Sequence, residues 1–202
     1  MESLKDQPIH SKKEFSPKDA ITVFGSFAFI CMAVIFIFVV YDLFTIQHFL
    51  SFSQPISMAV SVVIASMGLI MFGVILTLFT PSNYIDETNM SYQNYSVLHI
   101  FWFMFFGALF EELLFRGIIQ NLIFLFVDSW WTAIIITTLL FLCFHVQYFK
   151  KPLMLLNITI PSLIFGWIYF KTNNILAPFA VHFLMNFAMT LLFKYNLIKV
   201  KS

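Results

Sequence analysis

The chain has 202 residues, 60% of them apolar and only 10% charged, with 28 phenylalanines and a net charge of +1. A soluble domain carries about 25% charged residues, so a water-soluble globule is excluded, and the near-neutral balance offers nothing to a nucleic acid. The composition predicts an integral membrane protein: an all-α, polytopic bundle of transmembrane helices.

Residues 1–19 hold eight of the charged side chains. This cytoplasmic N-terminal segment is too long and too mixed in charge for the n-region of a signal peptide, and no small-residue cleavage site follows it. The first apolar run is therefore expected to stay in the membrane. Six runs approach the roughly 20 residues that a helix needs to cross the hydrocarbon core. They are Ala20–Tyr41, Ile56–Phe79, Val97–Phe126, Trp130–Tyr148, Pro152–Phe170 and Ile175–Phe193. Short polar turns join them, apart from the longer TPSNYIDETNMSYQNYS at 80–96. The expected organisation is two N-terminal spans and a loop over 20–95, a bundle over 96–195 and a tail over 196–202, with no repeat or second domain. Cys31 and Cys143 both lie in apolar runs and do not form a disulfide framework.

Lysine placement orients the chain. With the N-terminus cytoplasmic, the inner flanks hold Lys5, Lys12, Lys13, Lys18, Lys150, Lys151, Lys194, Lys199 and Lys201, and the outer flanks only Lys171. Both termini are then inside. The 80–96 loop, with Asp86 and Glu87 and no Lys or Arg, is neutral in this argument.

The third span carries FEELLFRG at its centre. A charge at that depth costs at least ~2.5–3.5 kcal/mol and is a functional candidate by default. Glu112 and Arg116 are four residues apart and can pair along one helix face. Glu111 is rotated about 100° away, as expected for 3.6 residues per turn, and has no partner one turn on. Gly107 and Ala108, one turn earlier, are expected to leave space beside its carboxylate. A run of this length must tilt, bend near Gly117 or begin outside the hydrocarbon. A buried Glu–Arg pair alone would be read as structural; the unpaired acid is what that reading leaves over. The fourth span adds His145, one turn after Phe141, and the sixth adds His182 and Asn186, one turn apart and so on one face. A single intramembrane histidine is more often a helix–helix hydrogen bonder. An acid, two histidines and an amide on three helices make a hydrolytic set. His10, His48 and His99 lie in flanks or near a span end and receive no role.

EExxxR (Glu111, Glu112, Arg116), FxxxH (Phe141, His145) and HxxxN (His182, Asn186), in that order on successive apolar helices, resemble the CPBP family. This is the family of CAAX proteases and bacteriocin-processing enzymes, also called Abi. The similarity covers roughly residues 97–195. The stretch SLIFGWIYFKTNNILAPFAVHFLMN is also similar to the family's lead-in to its last motif, with Ser162 and Gly166 as a small-residue packing face. The first two spans carry no motif, and the chain is shorter than the eight-helix Ras-converting members.

The resemblance implies intramembrane endoproteolysis of a membrane-embedded or membrane-proximal peptide or protein, within a lipid bilayer. Glu111 would hold and deprotonate the attacking water with His145. His182 and Asn186 would stabilise the tetrahedral oxyanion. Glu112 and Arg116 would form the structural half of the first motif.

Zinc or another divalent metal on Glu111, His145 and His182 is the mechanistic rival. HExxH is absent, however, and a water held by Glu and His needs no metal, so no cofactor is expected. The rival from another class is a non-catalytic bacteriocin-immunity or membrane-binding protein. A transporter fits less well, since paired broken helices would be expected in both halves and the polar groups fall in the second half alone. The richness in Phe, Ile, Lys and Asn fits an AT-rich bacterial genome and hence a multi-pass protein of the bacterial cell membrane, where no prenylated substrate would be met.

Overall fold

The computed structural model describes residues 17–81 and 95–198. His10, Lys5, Lys12, Lys13, Lys199, Lys201 and the acidic loop residues Asp86 and Glu87 lie outside the described residues. Helix α1 runs Pro17–Val40, the short α2 Ile46–Phe49 and α3 Pro55–Phe79. Helix α4, Val97–Glu112, continues through a π-wound stretch, Leu113–Gln120, into α5, Asn121–Val127. Helix α6 is Trp130–Cys143, followed by a 3₁₀ turn at Val146–Tyr148; α7 is Pro152–Thr172 and α8 Leu176–Lys194. Among the described residues there is no β-strand; Leu50 and Asn174 form an isolated bridge.

Local chemistry sets the starts and stops. Pro55 and Pro152 open α3 and α7, where a missing N–H costs nothing and the fixed φ suits a helix. The hydroxyls of Ser96 and Ser129 accept from the backbone N–H of His99 and Thr132, satisfying donors that the first turn leaves free. Asp128 and Asn173 close α5 and α7 in the left-handed region, each at φ 46°, a conformation that short polar side chains tolerate.

Five helical stretches are long and apolar enough to cross a membrane: Asp19–Val40, Pro55–Phe79, Val97–Val127, Pro152–Thr172 and Leu176–Lys194. The predicted span Trp130–Tyr148 is corrected. Its helix starts at Trp130 as expected but stops at Cys143 after 14 residues. The cause is local. The carbonyl of Phe141 accepts from the N–H of Phe144 at 3.2 Å and from Nδ1 of His145 at 2.9 Å, while the His145 N–H turns to Leu142 O at 2.8 Å. With that carbonyl taken, the last turn tightens and the α-helix cannot propagate. His145 therefore sits just past a helix end, not within a span.

The long third run does not break at Gly117. It stays helical over 31 residues and takes up its length partly as π-winding. A Cβ on Gly117 would lie 2.7 Å from Cδ1 of Ile35, so glycine is what lets α1 approach the π-wound stretch.

The bundle is inside-out relative to a soluble protein. Phe29, Phe36, Ile64, Met67 and Phe79 are largely exposed, whereas Glu112, Arg116, Gln120 and Asn121 are fully buried. That is the arrangement expected when the solvent is lipid and polar groups must face one another. Helix α1 packs on α4, α3 on α8, and α7 on both α6 and α8. One apolar core joins Ala28, Cys31, Leu113, Ile134 and Tyr169; a second joins Leu69, Phe165, Ile168 and Val181.

The α1–α3 connection is tied down at one end of the bundle. The N–H of Ser51 donates to Asn173 O at 2.9 Å, that of Ile175 to Phe49 O at 2.8 Å, and the amide of Asn174 to Ser51 O at 2.8 Å. His48, for which the sequence suggested no role, meets the buried Oδ1 of Asn121 at 2.8 Å, and Asn121 in turn donates to Gly117 O and Tyr169 OH.

Candidate active site

The predicted pair forms. Arg116 Nη1 donates to Glu112 Oε1 at 3.2 Å, with both side chains out of contact with solvent or lipid. The guanidinium also donates through Nη2 to the backbone oxygen and the hydroxyl of Ser162, each at 2.9 Å. Its carbon lies 5.4 Å from the ring centres of Phe141 and Phe165. A buried cation is tolerable only when it is paired and its N–H groups are used, and the aromatic faces add cation–π attraction. Ser162 oxygen is held in place by its own bond to Thr138 at 3.2 Å. Sequence reasoning placed Ser162 in a packing face; its hydroxyl in an otherwise apolar run was the signal of this second task. The other member of that face, Gly166, accepts at its carbonyl from Gln120.

His182, on α8, lies between the two glutamates. Its Nδ1 meets Glu112 Oε1 at 2.7 Å, and its Nε2 faces Glu111 Oε2 at 3.7 Å. The ring stacks on Phe165 with centres 4.7 Å apart, which fixes its plane. Glu112 is wholly buried, while Glu111 keeps a quarter of its side chain open. The two neighbouring acids therefore live in different surroundings: one is locked by two hydrogen-bond donors, the other opens on a cavity. Glu111 is not the isolated acid that helical spacing suggested, since an imidazole from another helix stands opposite it.

The cavity measures about 360 Å³ and is lined by Glu111, His145, His182 and Asn186. The four predicted residues of the site thus border a single space. His145 reaches it from just beyond the end of α6 and His182 from within α8. Further lining comes from Phe103, Met104, Tyr148, Asn157, Pro161, Met185 and Met189. Pro161 has no N–H to give, which leaves the carbonyl of Asn157 without its helical donor beside the cavity. Asn157 and Tyr148 are polar wall residues that sequence reasoning missed; an amide inside the apolar start of α7 was the available signal. The room beside Glu111 does not come from Gly107 and Ala108. Gly107 faces the ring of Phe24 on α1, and Ala108 is buried.

The hydrogen bonds indicate which ring nitrogens are free. Nδ1 of His145 is spent on the Phe141 carbonyl and Nδ1 of His182 on Glu112, so each ring turns its Nε2 to other partners. Among the described residues, no three His, Cys, Asp or Glu side chains are grouped so as to hold a metal ion. Glu111, His145 and His182 border the cavity without forming such a group.

Residues 93–188 match the family described as type II CAAX prenyl endopeptidase Rce1-like. The protein YpbD of Bacillus subtilis (strain 168), which carries the description uncharacterized, is 30% identical over 134 residues, covering 65% of this chain and 62% of that protein. The chain thus spans a little under two thirds of the length of the curated relative it matches. No solved structure matches it. All three motifs fall within the matched stretch, so over a little under half of its length the chain is similar to the CAAX-protease-like membrane proteins of that family.

Proposed function

We propose that this chain is an intramembrane endopeptidase that hydrolyses a peptide bond with a water activated by Glu111. The observation that carries the reading is the convergence of Glu111, His145, His182 and Asn186 on one cavity inside a membrane bundle. Glu111 and His145 hold the water, and the carboxylate accepts its proton as the oxygen bonds to the carbonyl carbon. The electron pair of the C=O bond moves onto oxygen, where His182 and the amide of Asn186 meet it as hydrogen-bond donors. In a site of low dielectric each such donor is worth about 2.7–4 kcal/mol of barrier. When the intermediate collapses, the C–N bond breaks and the proton held by Glu111 goes to the leaving nitrogen, giving a carboxylic acid and an amine. No step requires a covalent enzyme intermediate. The substrate is a peptide segment in or beside the bilayer.

The test uses the purified full chain in lipid and a library of internally quenched peptides with apolar flanks. Wild type should release fluorescence, and in ¹⁸O-labelled water one ¹⁸O should enter the new carboxyl group. Glu111→Gln, which keeps the volume but cannot take a proton from water, should lose cleavage by about 10²-fold or more, the usual scale for a lost general base. Cleavage by Glu111→Gln at the wild-type rate would overturn the reading.

A further inference from the structure

Glu112 was expected to be structural, a partner for Arg116 and nothing more. Its contacts say otherwise. One oxygen, Oε1, receives both the guanidinium N–H at 3.2 Å and Nδ1 of His182 at 2.7 Å. An ionised carboxylate has no hydrogen to give, so the proton in the shorter contact sits on Nδ1. Arg116, held in turn by Ser162, keeps the negative charge on Glu112 balanced and its orientation fixed. The remaining neighbours of the ring cannot compete for Nδ1: Phe165 covers a face, and Glu111 stands at the other nitrogen.

We infer that Glu112 is a positioning residue, which fixes His182 as its Nδ1–H form and aims Nε2 at Glu111 and the cavity. This rests on the endopeptidase reading above and assigns within it what each nitrogen does. In the neutral ring Nε2 is an acceptor. At 3.7 Å from Glu111 Oε2 the two acceptors are too far apart to bond directly, but one water can donate to both. Nε2 becomes a donor once Glu111 passes on the proton it took from the attacking water, relayed across the 3.7 Å gap by a bridging water. The ring hands it back through Glu111 to the leaving nitrogen; the Glu112 carboxylate, 2.7 Å behind Nδ1, faces the ring while it is charged. His182 therefore serves the oxyanion only as an imidazolium, and Glu112 determines whether that state is available. A carboxylate behind a catalytic imidazole plays the corresponding part in serine hydrolases, where replacing it by an amide leaves the wrong tautomer in place.

The test is spectroscopic and kinetic together. The full chain is labelled with ¹⁵N-histidine, reconstituted in lipid and examined by solid-state NMR, with His182→Gln used to assign the signals. The expected result is a protonated Nδ1 on His182 that loses this preference in Glu112→Gln. In the same variant kcat on the quenched peptides should fall about 10²-fold or more with little change in KM, the signature of a loss felt in the transition state. If Glu112→Gln does not accumulate, the charge-neutral pair Glu112→Gln with Arg116→Leu carries the same two readouts. An unprotonated Nδ1 in wild type, or an Nδ1 signal that stays unchanged on replacing Glu112, overturns the inference. So does unchanged kcat in a variant whose tautomer has shifted. The NMR result does not depend on cleavage, so failure of the endopeptidase reading and failure of this assignment are seen separately.

Discussion

Glu111 Oε2 and His182 Nε2 face each other at 3.7 Å, from helices that lie 70 residues apart in sequence at the neighbouring Glu112–His182 contact. The gap is too wide for a hydrogen bond between them and suits a single bridging water. The same cavity receives Asn186 from the next turn of α8 and His145 from the end of α6.

Removing these groups one at a time should separate catalysis from packing. His145→Ala, His182→Ala and Asn186→Ala should each reduce cleavage by about 10²-fold or more, the scale of a lost proton-transfer partner or oxyanion donor. His145 and Asn186 are only partly buried, so their alanine variants should reach the membrane at wild-type levels. The measurement is initial rate per molecule of protein, with abundance from a membrane blot. A variant that loses rate only in proportion to its abundance would assign that residue to folding.

Glu112→Ala should behave differently, because it strands Arg116 as a fully buried charge. Breaking a buried pair from one side costs about 3–5 kcal/mol. Poor accumulation is expected, and Arg116→Leu added to Glu112→Ala should restore part of it without restoring cleavage. Normal abundance of Glu112→Ala would mean that the pair carries little of the fold.

Gly166 offers a test of packing remote from the chemistry. A Cβ there would lie 2.7 Å from Gln120 Oε1 and 3.1 Å from Ile134 Cγ2. Overpacking of this kind costs about 1–3 kcal/mol, so Gly166→Ala should lower the thermal unfolding midpoint in detergent. An unchanged midpoint would show that α6 and α7 can separate there at no cost.

Dialysis against a strong chelator should leave cleavage intact, since the mechanism proposed routes no step through a metal. Activity that disappears on dialysis and returns with added zinc would replace the glutamate mechanism by metal-assisted hydrolysis.

Reporter fusions after Lys13 and after Lys199 should both read cytoplasmic, an expectation that rests on the nine-to-one lysine bias in the sequence. A C-terminal reporter on the far side would mean an odd number of crossings, with the short α6 the first candidate for the error.

Much of this was readable from the residues. Apolar runs located the spans because lipid leaves the backbone little choice but helix, and the i, i+4 spacing of Glu112 and Arg116 anticipated their bond. Two features were not readable. Hydropathy could not end α6 at Cys143, since LCFHVQYF stays apolar through the turn; the stop depends on His145 reaching back to the Phe141 carbonyl. The π-winding of Leu113–Gln120 leaves no mark on composition, so the side-chain directions beyond Glu112 could not be counted off in steps of 3.6 residues. The contact between His182 and Glu112 joins residues 70 apart, and no local pattern announces it.

The 14-residue α6 carries a consequence for the surrounding lipid. At 1.5 Å per residue it offers about 21 Å of apolar length, against a hydrocarbon thickness of about 30 Å. Its longer neighbours match the bilayer and α6 does not, so acyl chains beside it must compress or tilt to meet the end that carries His145. Such mismatch costs a fraction of a kcal/mol per ångström, and it draws the headgroup region down toward the mouth of the cavity. Thinning on this flank shortens the path from water to Glu111, and the thickness of the host membrane becomes a term in the protein's own energetics.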